Sequence, residues 1–209
     1  MTRPIRWALL PALLLAIWLA AMATGTGAVD RSVLLFLYSG ERPGIRSVAA
    51  FVTLFGEWEF LLPLAVIVGG ALLVDVTTRR DAFLFLAICL IGRALVQLQK
   101  IGIARLRPEE REQLVPVNTY SFPSGHSSNS MIVFLAIALV LVPVRLRPQA
   151  VILALAAAMA IGISRPMLGV HWPSDVVGGW AFGAAWVLIL AEMSQRWPFD
   201  RPDEKWIKR

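Results

Sequence analysis

What most constrains this chain is a rhythm of charge-poor stretches of similar length. They lie near residues 7–27, 58–76, 81–99, 127–144, 148–164 and 176–195. Most approach the roughly 17–25 residues an α-helix needs to cross a bilayer. The pattern predicts an all-α fold, a polytopic membrane helix bundle with six transmembrane helices and short interfacial helices. The second stretch is the least clean, because Glu57, Glu59 and Asp75 crowd its ends. Charge content agrees with the pattern. Only 16% of residues are charged and mean hydropathy is +0.68, whereas a soluble domain carries about 25% charged residues.

No charged residue occurs from Trp7 to Val29. That is long enough to span, so the first stretch is expected to be a retained helix rather than a cleaved signal peptide. Residues 30–56 are mixed. Their apolar runs "RSVLLFLYSG" and "SVAAFVTLF" are too short to cross and read as interfacial or re-entrant helices. There is no internal repeat, low-complexity tract or linker, so residues 1–209 are expected to form a single domain. Cys89 is the sole cysteine. It excludes an intrachain disulfide and a cysteine-based metal site, and reads as a small buried hydrophobe.

The net charge of +6 is dispersed along the chain, which speaks for membrane orientation and against a nucleic-acid partner. Six spans put both termini on one side. That side holds Arg3, Arg6, Arg79, Arg80, Arg145, Arg147, Arg196, Arg201, Lys205, Lys208 and Arg209. The other holds Arg31, Arg42, Arg46, Lys100, Arg105, Arg107, Arg111 and Arg165, with Arg93 inside the third span. The bias predicts cytoplasmic termini in the inner cell membrane. It strengthens if Lys100, Arg107 and Arg165 are held outside for function. Trp58, Trp172 and Trp197 suit interfacial anchors, or simply packed aromatics. The only two histidines, His126 and His171, then fall together on the non-cytoplasmic side.

Three segments on that side carry polar chemistry. In "KIGIARLRP", Lys100 and Arg107 are seven apart. On a helix that is two turns, about 10 Å along one face, and two cations so placed can close on a small anion. The pair also fits cations snorkelling at a helix end. In "FPSGH", Ser124 suits a helix N-cap and Gly125 lets backbone approach a ligand. The helix start offers free N–H groups to an anion, with His126 beside them. An ordinary cap with a solvent-facing histidine reads the same way. In "SRPMLGVHWPSD", His171 and Asp175 are four apart where Pro173 opens a helix. A carboxylate on one ring nitrogen fixes the tautomer and leaves the other as a nucleophilic lone pair. Arg165 adds a planar cation suited to phosphate. A structural His–Asp pair with a snorkelling arginine is the alternative. Taken together, three cations, a Ser-Gly helix start, two histidines and a carboxylate are the parts for phosphoryl transfer through a side-chain nucleophile.

The three blocks, Lys100…Arg107-Pro108, Pro123-Ser124-Gly125-His126 and Ser164-Arg165…His171…Asp175, resemble the signature of the type 2 phosphatidic acid phosphatase superfamily. They lie within residues 100–175, the motif-bearing core. The resemblance implies His171 as nucleophile, oriented by Asp175, and His126 as the acid that protonates the leaving oxygen and then activates water. It implies phosphate binding by Lys100, Arg107, Arg165, Ser124 and the Gly125 amide. It further implies a metal-free hydrolase without a cofactor, whose partner is a lipid phosphate or pyrophosphate such as polyprenyl (undecaprenyl) pyrophosphate or phosphatidylglycerol phosphate. The site would lie at the outer interface, where a headgroup enters while its tail stays among the membrane lipids.

A phosphotransferase using the same histidine carries the same residues. A vanadate-dependent haloperoxidase resembles the same motifs, but that group is soluble. A transporter or scaffold would account for Arg93, since a charge inside a span costs roughly 2.5–3.5 kcal/mol on insertion scales. Arg93, Gln97 and Lys100 share a helical face, however, so Arg93 can extend the polar stripe toward the site.

Overall fold

A computed structural model describes residues 4–74, 76–109 and 113–194. Arg3, Asp75, Arg111, Trp197 and the C-terminal basic residues counted above lie outside these. Among the described residues, eight α-helices run in the order α1 (Pro4–Thr24), α2 (Ala28–Leu37), α3 (Pro43–Leu54), α4 (Trp58–Val74), α5 (Arg79–Ile103), α6 (Gly125–Ala136), α7 (Arg147–Met167) and α8 (Pro173–Met193). A π-helical turn, Ile137–Leu141, continues α6. The fold is an all-α bundle, as the hydropathy predicts. Four helical stretches are long and apolar enough to cross a membrane, and a fifth is gained if α1 and α2, bent by 96°, count as one. Where the fourth span was expected, near 127–144, the apolar helix Gly125–Leu141 falls short by length, at under 18 residues.

One stretch differs from the sequence reading. Helix α3 was expected to stand apart at the interface. Instead α3 and α4 run on as one 32-residue apolar stretch, Pro43–Val74, broken only at Phe55–Glu57. Helix α2 is the short, turned-aside element, burying only Asp30 and Leu34. Its break from α1 contains Thr26 with φ 71°, stabilised by a 2.8 Å bond from the Thr26 N–H to Asp30 Oδ2.

Helix α6 is the hub. It packs against α5, α7 and α8 and is buried on almost every side from Ser127 to Ala136. Small residues make this possible. Added Cβ atoms on Gly179 and Gly183 of α8 would lie 2.9 Å from the Ser124 carbonyl oxygen and 2.8 Å from that of Ser128. This small-xxx-small stripe lets the α6 and α8 backbones approach closely where lipid offers no hydrophobic drive for helix association. Helix α5 buries Phe85, Ile88, Cys89, Gly92, Val96 and Lys100, a face repeating every three or four residues. Its opposite face, including Phe83, Ile91 and Leu98, is exposed, as a lipid-facing surface would be.

Candidate active site

The up-and-down course of the bundle brings four helix ends together: the end of α5, the start of α6, the end of α7 and the start of α8. Around them lies a cavity of about 270 Å³, lined by Lys100, Arg107, Gly125, His126, Arg165 and His171 among others. Six of the eight residues expected from the sequence therefore line one hollow. Asp175 sits behind His171 and Ser124 behind Gly125.

The start of α8 builds the His–Asp pair. Pro173 occupies the first turn, and Asp175 Oδ2 accepts the Trp172 backbone N–H at 2.9 Å, the reciprocal contact of a capping box. That fixes the carboxylate 3.3 Å from His171 Nδ1. The ring's other nitrogen, Nε2, lies 3.2 Å from Arg107 Nη1. A carboxylate only accepts and a guanidinium only donates. The proton therefore belongs on Nδ1, and Nε2, on the cavity wall, carries the lone pair, which faces Arg107. Burial, then the positive fields of Arg107, Lys100 and Arg165, hold the His171 imidazole well below its ordinary protonation range. A neutral ring has a free lone pair to offer.

The cations are held by carbonyl groups. Lys100 Nζ donates to Tyr120 O at 2.6 Å and Ser121 O at 3.3 Å. Arg107 donates to Thr119 O and Val170 O, both at 2.6 Å, and to Thr119 Oγ1 at 3.1 Å. Burial draws the Arg107 guanidinium down to about 10, still charged at neutral pH. Arg165 Nη1 donates to Thr53 Oγ1 at 2.6 Å, while its Nε is buried without a partner. An orphaned buried guanidinium N–H beside this hollow is a donor prepared for an anion.

Two expectations need correction. Lys100 and Arg107 do not share a helix, because α5 ends at Ile103 and Ala104 turns left-handed with φ 50°, its N–H closing on Lys100 O. The chain then doubles back, and Arg107 reaches the cavity from a loop. Ser124 does cap α6, but its fully buried hydroxyl accepts from the Ser127 N–H at 3.4 Å and Ser127 Oγ at 3.0 Å and does not line the cavity. Of the two readings left open for Trp172 the packed aromatic holds, since it is buried with Nε1 donating to Leu106 O at 3.0 Å.

Several contributors escaped the sequence reading. Ser121 Oγ donates to Asp175 Oδ2 and lies 3.3 Å from His171 Nδ1. Arg105, counted there only as a loop cation, pairs with Asp175 Oδ1 at 2.9 Å and lies over the Phe122 ring. It also bonds Ser174 Oγ at 3.0 Å, and Asp30 accepts the Ser174 N–H at 2.8 Å. Glu57, from the α3–α4 break, puts Oε1 3.1 Å from His126 Nε2. That ring nitrogen has no well-aligned hydrogen bond, and the acid stands beside it. A Cβ on Gly56 would lie 2.8 Å from His126 Cδ2, so only glycine lets the break come this close. The acids at Glu57 and Glu59 were visible as blemishes on an apolar stretch, and that was the available signal.

A family model of the PAP2 superfamily matches residues 81–199. The chain is 33% identical over 173 residues to phosphatidylglycerophosphatase B of Bacillus subtilis (strain 168), covering 80% of this chain and 82% of that protein. It is 29% identical over 201 residues to the lipid A 1-phosphatase of Rhizobium etli, covering 83% and 84%. The fold matches the crystal structure of the first transmembrane PAP2 type phosphatidylglycerolphosphate phosphatase from Bacillus subtilis. The TM-score is 0.80 at 30% identity, over 91% of this chain and 98% of that one.

Proposed function

The chain belongs to the PAP2 superfamily and is a membrane lipid phosphatase; from that premise we propose that His171 is its nucleophile and that the surrounding cations clamp the phosphate. The observation that carries this reading is the orientation of His171. Nδ1 is held on Asp175 and Nε2 opens beside Arg107 into the cavity.

The Nε2 lone pair attacks phosphorus as the bond from phosphorus to the lipid oxygen breaks. Lys100, Arg107, Arg165 and the Gly125 amide take the charge spreading over the equatorial oxygens, with Ser124 fixing the turn that presents the amide. His126 gives its proton to the leaving oxygen. It then takes one from water, which attacks the phosphohistidine, and phosphate leaves with the His171 lone pair restored. Asp175 steadies the imidazolium, and Arg105 and Ser121 hold Asp175. We place the site at the non-cytoplasmic face of six crossing segments with cytoplasmic termini, supported by the basic-residue bias. A lipid phosphomonoester such as phosphatidylglycerol phosphate suits the relatives' named activities, and a polyprenyl diphosphate suits the same chemistry. Phosphate release from a panel of these lipids by purified protein in detergent, with chelator present, tests the reading. Release is expected from wild type and not from His171→Ala. Equal release by both, or rescue only by added metal, overturns it.

A further inference from the structure

The cavity is larger than one phosphate needs, and its second half has a charge of its own. Arg93 and Gln97 line it together with Trp58 and Glu59. Arg93 stands seven residues before Lys100 on α5, about 10 Å toward the bundle's middle. Its guanidinium carbon lies 3.9 Å from the Trp58 ring centroid, so the planar group is stacked and pre-aimed. Glu59 shares this rim, exposed, and its charge acts on Arg93 without closing to an ion pair among the described residues, so an incoming anion must compete with a solvated carboxylate there. Glu57, on the same wall, is turned to His126. Asn129, one turn beyond His126 on α6, also lines the cavity, and its buried Oδ1 has no hydrogen-bond partner. A buried acceptor left without a donor is unfavourable, and here a ligand's hydroxyl can supply the donor.

We infer that Arg93, Gln97 and Asn129 form a second subsite, membrane-ward of the catalytic phosphate position, for a second anionic group joined to the first through a hydroxyl-bearing bridge. The inference rests on the preceding reading for where the scissile phosphate lies. The tail must run from the helix ends toward the membrane, so the tail-proximal part of a headgroup passes Arg93. A lipid with a phosphodiester separated from its terminal phosphate by glycerol puts its second charge at that depth and its bridging hydroxyl near Asn129. A diphosphate keeps its second charge one oxygen away from the first and would bring a hydrocarbon chain against Arg93. A phosphatidic acid has no second phosphate. The cavity therefore selects the glycerol-bridged class.

The test compares kcat/KM of the full-length protein in detergent on phosphatidylglycerol phosphate, phosphatidic acid and a polyprenyl diphosphate. Wild type is expected to prefer the first. In Arg93→Gln the preference over phosphatidic acid should fall at least about tenfold, the scale of a lost hydrogen bond to a charged group. Arg93→Lys should retain more of it, and Asn129→Leu should lower the same ratio. An unchanged ratio in an active Arg93→Gln, or a parallel loss on all three lipids, overturns the second subsite and leaves the phosphatase reading intact. No release from any lipid by wild type overturns both. If Arg93→Gln is recovered misfolded, the ratios for Arg93→Lys and Asn129→Leu decide alone.

Discussion

At the scale of single residues the two histidines face different neighbours and should fail differently. His171 is buried on Asp175 and aimed at the cations, whereas His126 Nε2 faces the Glu57 carboxylate at 3.1 Å. His171→Ala is expected to form no phosphoenzyme. His126→Ala should still form one from an aryl phosphate, whose leaving group needs no proton, while its turnover of alkyl phosphates falls by roughly 10²–10⁴. Rapid-quench detection of phosphohistidine separates the two, and equal behaviour of both variants on both substrates would contradict the assignment. A pH dependence follows from the lowered protonation range of His171. A histidine held low stays neutral as pH falls through about 6.5, the ordinary value. In the His126→Ala background, the rate of phosphoenzyme formation from an aryl phosphate should therefore not drop between about pH 7.5 and 6. A half-loss centred near the ordinary value would mean that His171 is solvated rather than buried.

At the scale of elements, the proposed catalysis depends on how closely α8 lies on α6, because α8 starts with the His–Asp pair and α6 starts with the turn proposed to face the anion. Ser124 ties the two starts directly, its N–H donating to Asp175 O at 3.0 Å. Gly183→Val would drive a side chain into the Ser128 carbonyl, where even a Cβ lies 2.8 Å away. The helices must then separate, at about 1–3 kcal/mol for overpacking. The melting temperature and kcat/KM of the detergent-solubilised variant should fall together. Gly70→Ala in α4 meets no atom within 4 Å and should leave both as they are. If Gly183→Val melts and turns over like wild type, the α6–α8 contact does not set the site. Helix α2 acts at the same scale, since Asp30 holds the first turn of α8 through Ser174 and so reaches Asp175 by way of Arg105.

For the molecule as a whole, the proposed orientation can be read chemically. Single cysteines at Gln113, Gln149 and the C-terminus, in a Cys89→Ser background, report three connections. An impermeant thiol reagent on intact cells should label only the position-113 variant. Labelling at 149 and not at 113 would put the site on the cytoplasmic leaflet. Labelling at both would break the six-crossing count, since the two positions flank α6 and part of a cavity would then lie on each side.

The sequence by itself determined the class of fold, because hydropathy is summed locally and a bilayer imposes a minimum apolar length on each helix. It also marked the histidines, Asp175 and the three cations, since polar residues are costly beside apolar runs and spacing alone grouped them. Local pattern did not carry the α5 ending, where one left-handed alanine turns an expected helical pair into a helix residue and a loop residue. Nor did it carry the partners. Glu57 meets His126, Arg105 meets Asp175 and Arg93 lies over Trp58 only after helices distant in sequence pack. Whether a charge is solvated, paired or aimed into a cavity depends on what the fold sets against it. That was decided by the close approach of α6 and α8 and by the α3–α4 break over Gly56, contacts between elements that no single stretch of sequence contains.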